Sequence, residues 1–240
     1  MNNNYNLILT GDEIDFEFSE LKKIGVYIYH YPMILISKLE NLVNPNDYNF
    51  IIFTSKNGVK YFMDNLTDKI NDSLEFICLG DKTAKSLLKY KMEANFILKR
   101  NYSKYMCKEI KSLGLPVDSK ILLAQGNLAK KELFDCIQKF ANIEQKIFYK
   151  TSLTNEFNRD VDNLLNNKKT FTVFTSPSTF ESFINKYSPN ENIISIGNTT
   201  TEYIIERGYK PLVTAKMQSY EGISNSIIDF FNKNLNYEVS

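Results

Sequence analysis

Short apolar runs alternate along most of the chain with stretches whose apolar residues recur at helical spacing. LILT (7–10) predicts a strand ending at Gly11, and GVYIYHYP (25–32) a second, with alternating aromatics and a terminal proline. FIIFTS (50–55) predicts a third, followed by a helix in NGVKYFMDNL. FICLG (76–80) leads into a helix in DKTAKSLLKY, NFIL (95–98) into one near 103–113, and KILLAQG (120–126) into an amphipathic helix from Leu128 to Phe140. KIFYKTS (146–152), FTVFTS (171–176), IISIG (193–197) and PLVTA (211–215) complete the strands, and a last helix is expected from about Glu221 to Asn232. Apolar runs bounded by Gly and turn residues suit strands buried on both faces, and their alternation with helices suits βαβ units of a parallel sheet. The strands are too many for one typical compact sheet, so two α/β domains are expected. The asparagines at the N-terminus are expected to fray.

Composition narrows the class. The 240 residues suffice for one large domain or two small ones, and 43% apolar with 24% charged residues argues against disorder and against a fibrous chain. With 29 basic and 28 acidic residues the net charge is +1, which gives no global field for nucleic acid or an anionic membrane. No run of 18 apolar residues predicts a membrane span. The opening MNNNYNLILTGDEIDFEF lacks the basic start and apolar length of a signal peptide. Cys78, Cys107 and Cys136 are odd in number and far apart, with no CxxC pair. Neither a zinc site nor a disulfide framework is expected from them, and a reducing cytoplasm fits best. The single histidine, His30, lies among aromatics and is expected to be structural; a Ser-His-Asp triad would have no other base. There is no Walker P-loop, no GxGxxG and no acidic cluster at the strand ends.

An internal repeat is the most informative feature. IIFTSKNGVKYF (51–62) matches TVFTSPSTFESF (172–183), and FICLGDKTAKSLL (76–88) matches ISIGNTTTEYII (194–205). Each pair reads strand, hydroxyl residues or Gly, then helix, with Thr83 and Thr200 three places after Gly80 and Gly197. Strand ends of this kind place backbone N–H groups at a helix N-terminus, where they and the helix dipole favour an anion. Ser55, Ser176, Thr83 and Thr200 are therefore candidate helix caps and candidate anion contacts. In open α/β sheets, ligands bind outside the carboxyl ends of the strands.

In order and spacing, FTSKNGVKYF, LGDKTAKSLL, FTSPSTFESF, IGNTTTEYIIERGY and TAKMQSYEGISNSI resemble the motifs of the uroporphyrinogen-III synthase family. LILTGDE with LKKIGVYIYHYPMILI is similar to that family's first strand, helix, second strand and proline. KILLAQGNLAKKELFDCI resembles its middle strand–Gly–helix unit and IFYKTS its crossover segment. The resemblance covers nearly the whole chain. It implies two similar flavodoxin- or Rossmann-like parallel-sheet domains joined by a two-stranded ladder, one domain being discontinuous. Carried over, domain one is 1–33 plus 153–240, domain two is 37–149, and the connecting strands are 32–36 and 148–152.

The resemblance also implies a cofactor-free cyclase whose substrate, hydroxymethylbilane, carries eight carboxylates. Water leaves, an azafulvene cation attacks the last ring, and a spiro intermediate reopens and recloses with that ring inverted. Tyr149 matches the crossover tyrosine and is the expected catalytic residue, a hydrogen-bond donor to the departing hydroxyl. Expected substrate contacts are Thr10 on the first strand, then Thr54, Ser55 and Lys56, then Gly80 and Thr83. Gln125 and Gly126 follow, with Ser176, Pro177 and Ser178, and finally Gly197, Thr199 and Thr200. Lys82 and Lys216 could add charge. No nucleic acid or membrane partner is implied, and the chain is expected to be a cytoplasmic monomer that can receive its substrate from the preceding pathway enzyme. The sequence departs from the family at Thr10-Gly11-Asp12, where Thr-Arg-Pro is frequent, and at Asn57 and Asn198. Two alternatives are a non-catalytic two-lobed protein that binds a small anion and a synthase-like module without activity.

Overall fold

The computed structural model describes residues 4–13, 18–99 and 103–235, so the expected fraying at 1–3 lies outside the described residues. In chain order the elements are β1 (Tyr5–Leu9), α1 (Ser19–Lys23), β2 (Val26–His30), β3 (Ile34–Lys38), β4 (Phe50–Phe53), α2 (Lys56–Met63) and β5 (Glu75–Leu79). Then come α3 (Gly80–Leu87), β6 (Phe96–Leu98), α4 (Ser103–Ser112), β7 (Lys120–Gly126), α5 (Glu132–Ile137), β8 (Asn142–Leu153) and α6 (Arg159–Leu165). The chain closes with β9 (Thr170–Phe174), α7 (Pro177–Ile184), β10 (Ile193–Ser195), α8 (Asn198–Glu206), β11 (Val213–Thr214) and α9 (Tyr220–Leu235).

Two compact units result. The first is Met1–Leu35 with Ser152–Ser240, and the second is Ile36–Thr151. The first holds a five-stranded parallel sheet in the order β11-β10-β9-β1-β2. The second holds a six-stranded sheet in the order β3-β8-β7-β4-β5-β6. Its β8-β7-β4-β5-β6 portion is parallel. β3 and β8 carry the chain between the units and run antiparallel, since Leu39 N–H donates to Phe148 O and Thr154 N–H to Met33 O. Counted from β4, the second unit has the doubly wound order 3-2-1-4-5. Counted from β9, the first unit has the same order, with its fourth and fifth strands supplied by β1 and β2. The sequence repeat therefore marks equivalent strands, β4 with β9 and β5 with β10. The central strands β7 and β1, ending in LLAQG and LILTG, are a further equivalent pair.

The cores explain the uninterrupted apolar runs. Successive strand side chains point to opposite faces. Ile51 and Phe53 of β4 pack on one face of their sheet, Phe50 and Ile52 on the other. Phe171 and Val173 of β9 face α9, and Phe174 faces α7. Both faces are covered by helices, as in a doubly wound parallel sheet. Among the described residues, Thr172 Oγ1 is a buried side-chain oxygen with no hydrogen-bond partner. No helix among them is long and apolar enough to cross a membrane.

Three expectations are corrected here. Cys107 and Cys136 are disulfide-bonded, because α4 and α5 pack side by side and bring together residues 29 apart in sequence. The cysteines thus give no argument for a reducing compartment. Cys78 is the free one, and burial pushes its thiol up to about 12. The helix expected from Leu128 to Phe140 is confined to Glu132–Ile137, since a turn first occupies the chain: Ala129 N–H donates to Gly126 O and Asn127 bonds the backbone of Thr151. The strand expected in PLVTA is reduced to Val213–Thr214 at the sheet edge.

Candidate functional site

In the second unit the chemistry gathers at the carboxyl ends of β4, β7 and β8. Thr54 and Ser55 follow β4, and Ser55 in extended conformation caps α2, its Oγ accepting from Gly58 N–H at 3.0 Å. Tyr149 reaches the same hydroxyl: its phenol oxygen lies 3.0 Å from Ser55 Oγ. Its ring stacks on Tyr61 of α2, with centroids 5.6 Å apart and planes 29° apart. It also covers Gly126, where an added Cβ would come within 2.4 Å of the Tyr149 ring. A bulge between Gln125 and Gly126 sets Gly126 opposite Tyr149, where the register of the preceding residues would have placed Phe148. Sequence reasoning picked out Tyr149, Ser55 and Gly126 singly. Tyr61, inside the quoted NGVKYF, was the missed member.

The first unit repeats the frame with different contents. Ser176 caps α7 through Thr179 N–H at 3.2 Å, and Thr179 Oγ1 accepts in return from Ser176 N–H, a full capping box. Pro177 takes the first helical position, and Ser176 Oγ lies 2.9 Å from Ser178 Oγ. Over Gly11 sits Tyr220, whose hydroxyl an added Cβ would meet at 2.4 Å and which donates to Glu13 O. His30 Nε2–H donates to Gly11 O at 2.8 Å, a structural bond as expected.

The Gly-ended loops differ from the Ser-ended ones. α3 begins at Gly80, whose φ of +71° favours glycine, and no side chain caps it. α8 follows Gly197, again without a side-chain cap, and Thr199 is exposed in its first turn. Such N-termini keep backbone N–H groups for an anion. The expected capping by Thr83 and Thr200 is corrected. Both lie within their helices on the inward side, 5% and 2% exposed. Neither side chain bonds the N-terminus of its helix.

Two expected contacts turn inward. Thr10 is fully buried and donates its hydroxyl to Val173 O at 2.6 Å. Gln125, its counterpart on β7, is buried and accepts from Gln145 Nε2 at 2.7 Å. Both side chains tie adjacent strands at the end of the sheet, since a residue preceding the terminal glycine still obeys the strand alternation. Lys56 opens α2 and Lys82 lies exposed in the first turn of α3. Lys216 pairs with Asp229 at 3.2 Å on the surface.

Elsewhere, polar side chains fasten elements together. Tyr203 of α8 and Arg207, which follows that helix, both bond Glu181 of α7, at 2.7 and 2.8 Å. The Tyr203 hydrogen bond first, then Arg207, hold the Glu181 carboxyl below its ordinary value, and burial pushes the Tyr203 phenol up to about 12. Lys186 donates to both oxygens of Thr154 at 2.8 Å, and burial lowers its ammonium's pKa.

The fold and these strand ends define a class: a two-unit, doubly wound α/β protein with hydroxyls, glycines and helix N-termini at the carboxyl ends of its parallel strands. The family model described as uroporphyrinogen-III synthase HemD matches residues 17–225. The chain belongs to the uroporphyrinogen-III synthase family, enzymes of porphyrin biosynthesis. It is 27% identical over 228 residues to a Methanocaldococcus jannaschii protein that bears the synthase name provisionally, covering 88% of this chain and 92% of that one. It is 26% identical over 204 residues to the porphyrin biosynthesis protein HemD of Ruminiclostridium josui, covering 76% of this chain but 40% of that relative's length. The crystal structure of uroporphyrinogen-III synthetase from Helicobacter pylori matches with a TM-score of 0.71 at 21% identity, over 94% of this chain and 99% of that one. A mutant uroporphyrinogen III synthase from Thermus thermophilus matches at 0.62 and 13% identity, over 97% and 99%. At these identities the structural likeness is one of fold.

Proposed function

We propose that this chain converts hydroxymethylbilane to uroporphyrinogen III. The observation that carries the reading is Tyr149, held by Ser55, Tyr61 and Gly126 at a strand end of a chain that belongs to the synthase family. Tyr149 donates a proton to the departing hydroxyl, the C–O bond breaks, and water leaves an azafulvene cation stabilised by its pyrrole nitrogen. Phenols are weak acids as a class, but an electron-rich pyrrole already expels the leaving group. The cation attacks the substituted carbon of the last ring, and the spiro intermediate reopens and recloses with that ring inverted. The linear bilane also closes without inversion by itself, so the protein's task is positioning more than strong acid catalysis.

Carboxylates of the substrate suit the α3 and α8 N-termini, which no side chain caps. Thr54, Lys56, Gly80, Ser176, Pro177, Ser178, Gly197 and Thr199 are the proposed contacts. Thr10, Gln125, Thr83 and Thr200 act instead through the packing that shapes the loops. The reading includes a monomer that accepts its substrate from the preceding enzyme, in the cytoplasm, where a small-molecule pathway of this kind would supply it. The test is an isomer assay with hydroxymethylbilane generated in place and the porphyrins separated after oxidation. Type III above the no-enzyme control is expected; type I alone from folded protein would reject the activity in favour of binding without catalysis.

A further inference from the structure

We propose that Ser55 is a positioning residue for Tyr149: its hydroxyl proton goes to the phenol oxygen and turns the phenol's own proton toward the departing hydroxyl. The inference rests on the reading of Tyr149 just given. A serine hydroxyl has one proton and two lone pairs. Ser55 Oγ already accepts from Gly58 N–H at the positive end of α2. That bond polarises the remaining O–H, so donation to Tyr149, 3.0 Å away, is the complementary contact. The ring itself is fixed by Tyr61 on one side and by the absence of a side chain at Gly126. Ser55 therefore bears on the direction of the O–H bond rather than on the place of the ring. The equivalent cap in the other unit, Ser176, turns to Ser178 rather than to a tyrosine.

The step balances. The C–O bond of the hydroxymethyl group breaks and its electron pair leaves on oxygen, which takes the Tyr149 proton and departs as water. The phenolate accepts the Ser55 O–H until it regains the proton released when the last ring becomes aromatic again after closure. Ser55 touches neither bond that changes in the substrate; it acts through Tyr149.

The test observes the phenol directly. In protein carrying 13C at tyrosine Cζ, the Tyr149 resonance is the one missing from Tyr149→Phe. Its titration midpoint should rise by about half a unit or more in Ser55→Ala, and stay in place in Ser55→Thr. Ser55→Asp keeps an acceptor for Gly58 N–H and so preserves the cap while removing the donor. That variant should lose about tenfold in kcat with KM held within about twofold. Ser55→Thr should restore the rate, and Ser55→Asp should cost nothing further in Tyr149→Phe. An unmoved or lowered titration in Ser55→Ala, or an equal loss of rate with and without the phenol, overturns the inference. Absence of type III product from the unsubstituted enzyme would instead reject the activity, while the titration would still decide where the Ser55 proton lies.

Discussion

The carboxyl ends of β4, β7 and β8 and those of β9, β1 and β2 are built on one plan, yet they hold different chemistry. Each has a serine-capped helix after the first strand and a glycine at the end of the central one. Over Gly126 lies Tyr149, with its hydroxyl on the capping serine. Over Gly11 lies Tyr220, with its hydroxyl donated to a backbone carbonyl. The first arrangement leaves a phenol engaged with a hydroxyl that can take either role in the bond. The second locks its phenol to an acceptor that can only receive. The same division recurs one strand further on. Ser195, Thr201 and Thr214 form a closed hydroxyl cluster in the first unit where the second has Cys78 and Ala84 at the first two positions. A repeated frame thus fixes where loops and helix N-termini fall, and single residue differences within it change which groups each end presents.

The largest effect that would break this comparison comes from the glycines. Gly126→Ala should drive Tyr149 from its place, cost about 1–3 kcal/mol through overpacking, and lower turnover by about 100-fold. Gly11→Ala should cost similar stability with far less loss of turnover. Equal losses of activity in the two variants, measured beside thermal unfolding, would mean that the chemistry is not confined to the Tyr149 end. The disulfide is the next largest difference. Reducing Cys107–Cys136 should lower stability by about 2–4 kcal/mol and promote hydrogen exchange in α4 and α5 while β9 and α7 keep their protection. Matching loss of protection in both units would show that they unfold as one.

The caps separate stability from function. Ser55→Ala and Ser176→Ala should each cost about 1 kcal/mol in denaturant unfolding, but Ser55→Ala should lower kcat, whereas Ser176→Ala, which removes only a substrate contact, should act through KM. The smallest effect is acid sensitivity at the α7–α8 contact. Because the Glu181 carboxyl is held below its unfolded value, its stabilisation is present above the unfolded pKa and is lost as pH falls through the folded one. For a half-exposed contact this amounts to a few tenths of a kcal/mol. An Arg207→Gln variant should therefore differ less from the parent below about pH 4 than at pH 7; a gap that widens on acidification would contradict the assignment.

The alternation of apolar runs with helical patterns made the α/β class legible, because strands covered on both faces need uninterrupted apolar residues and these are visible in FIIF and FTVF. The two Thr-Ser turns disclosed their capping role for the same local reason: the bond from Ser55 to Gly58 spans three residues. Nonlocal geometry was not legible. Nothing in the spacing of Cys107 and Cys136 shows that α4 and α5 lie side by side. Nothing in LLAQG shows that Gln125 turns to Gln145, or that a bulge sets Tyr149 opposite Gly126. Thr83 and Thr200 misled because their offset from glycine matched in both repeats, yet a shared offset can equally record a shared packing position.

The most direct test of the account is Tyr149→Phe. Phenylalanine keeps the ring on Tyr61 and over Gly126 and removes only the hydroxyl. The measurement is the initial rate of uroporphyrinogen III formation together with the ratio of type III to type I product. The account predicts a fall in rate of about 100-fold, a product ratio shifted toward type I as spontaneous closure overtakes the enzyme, and a thermal midpoint close to that of the parent. An unchanged rate and ratio would contradict it and remove the Tyr149 end from the chemistry.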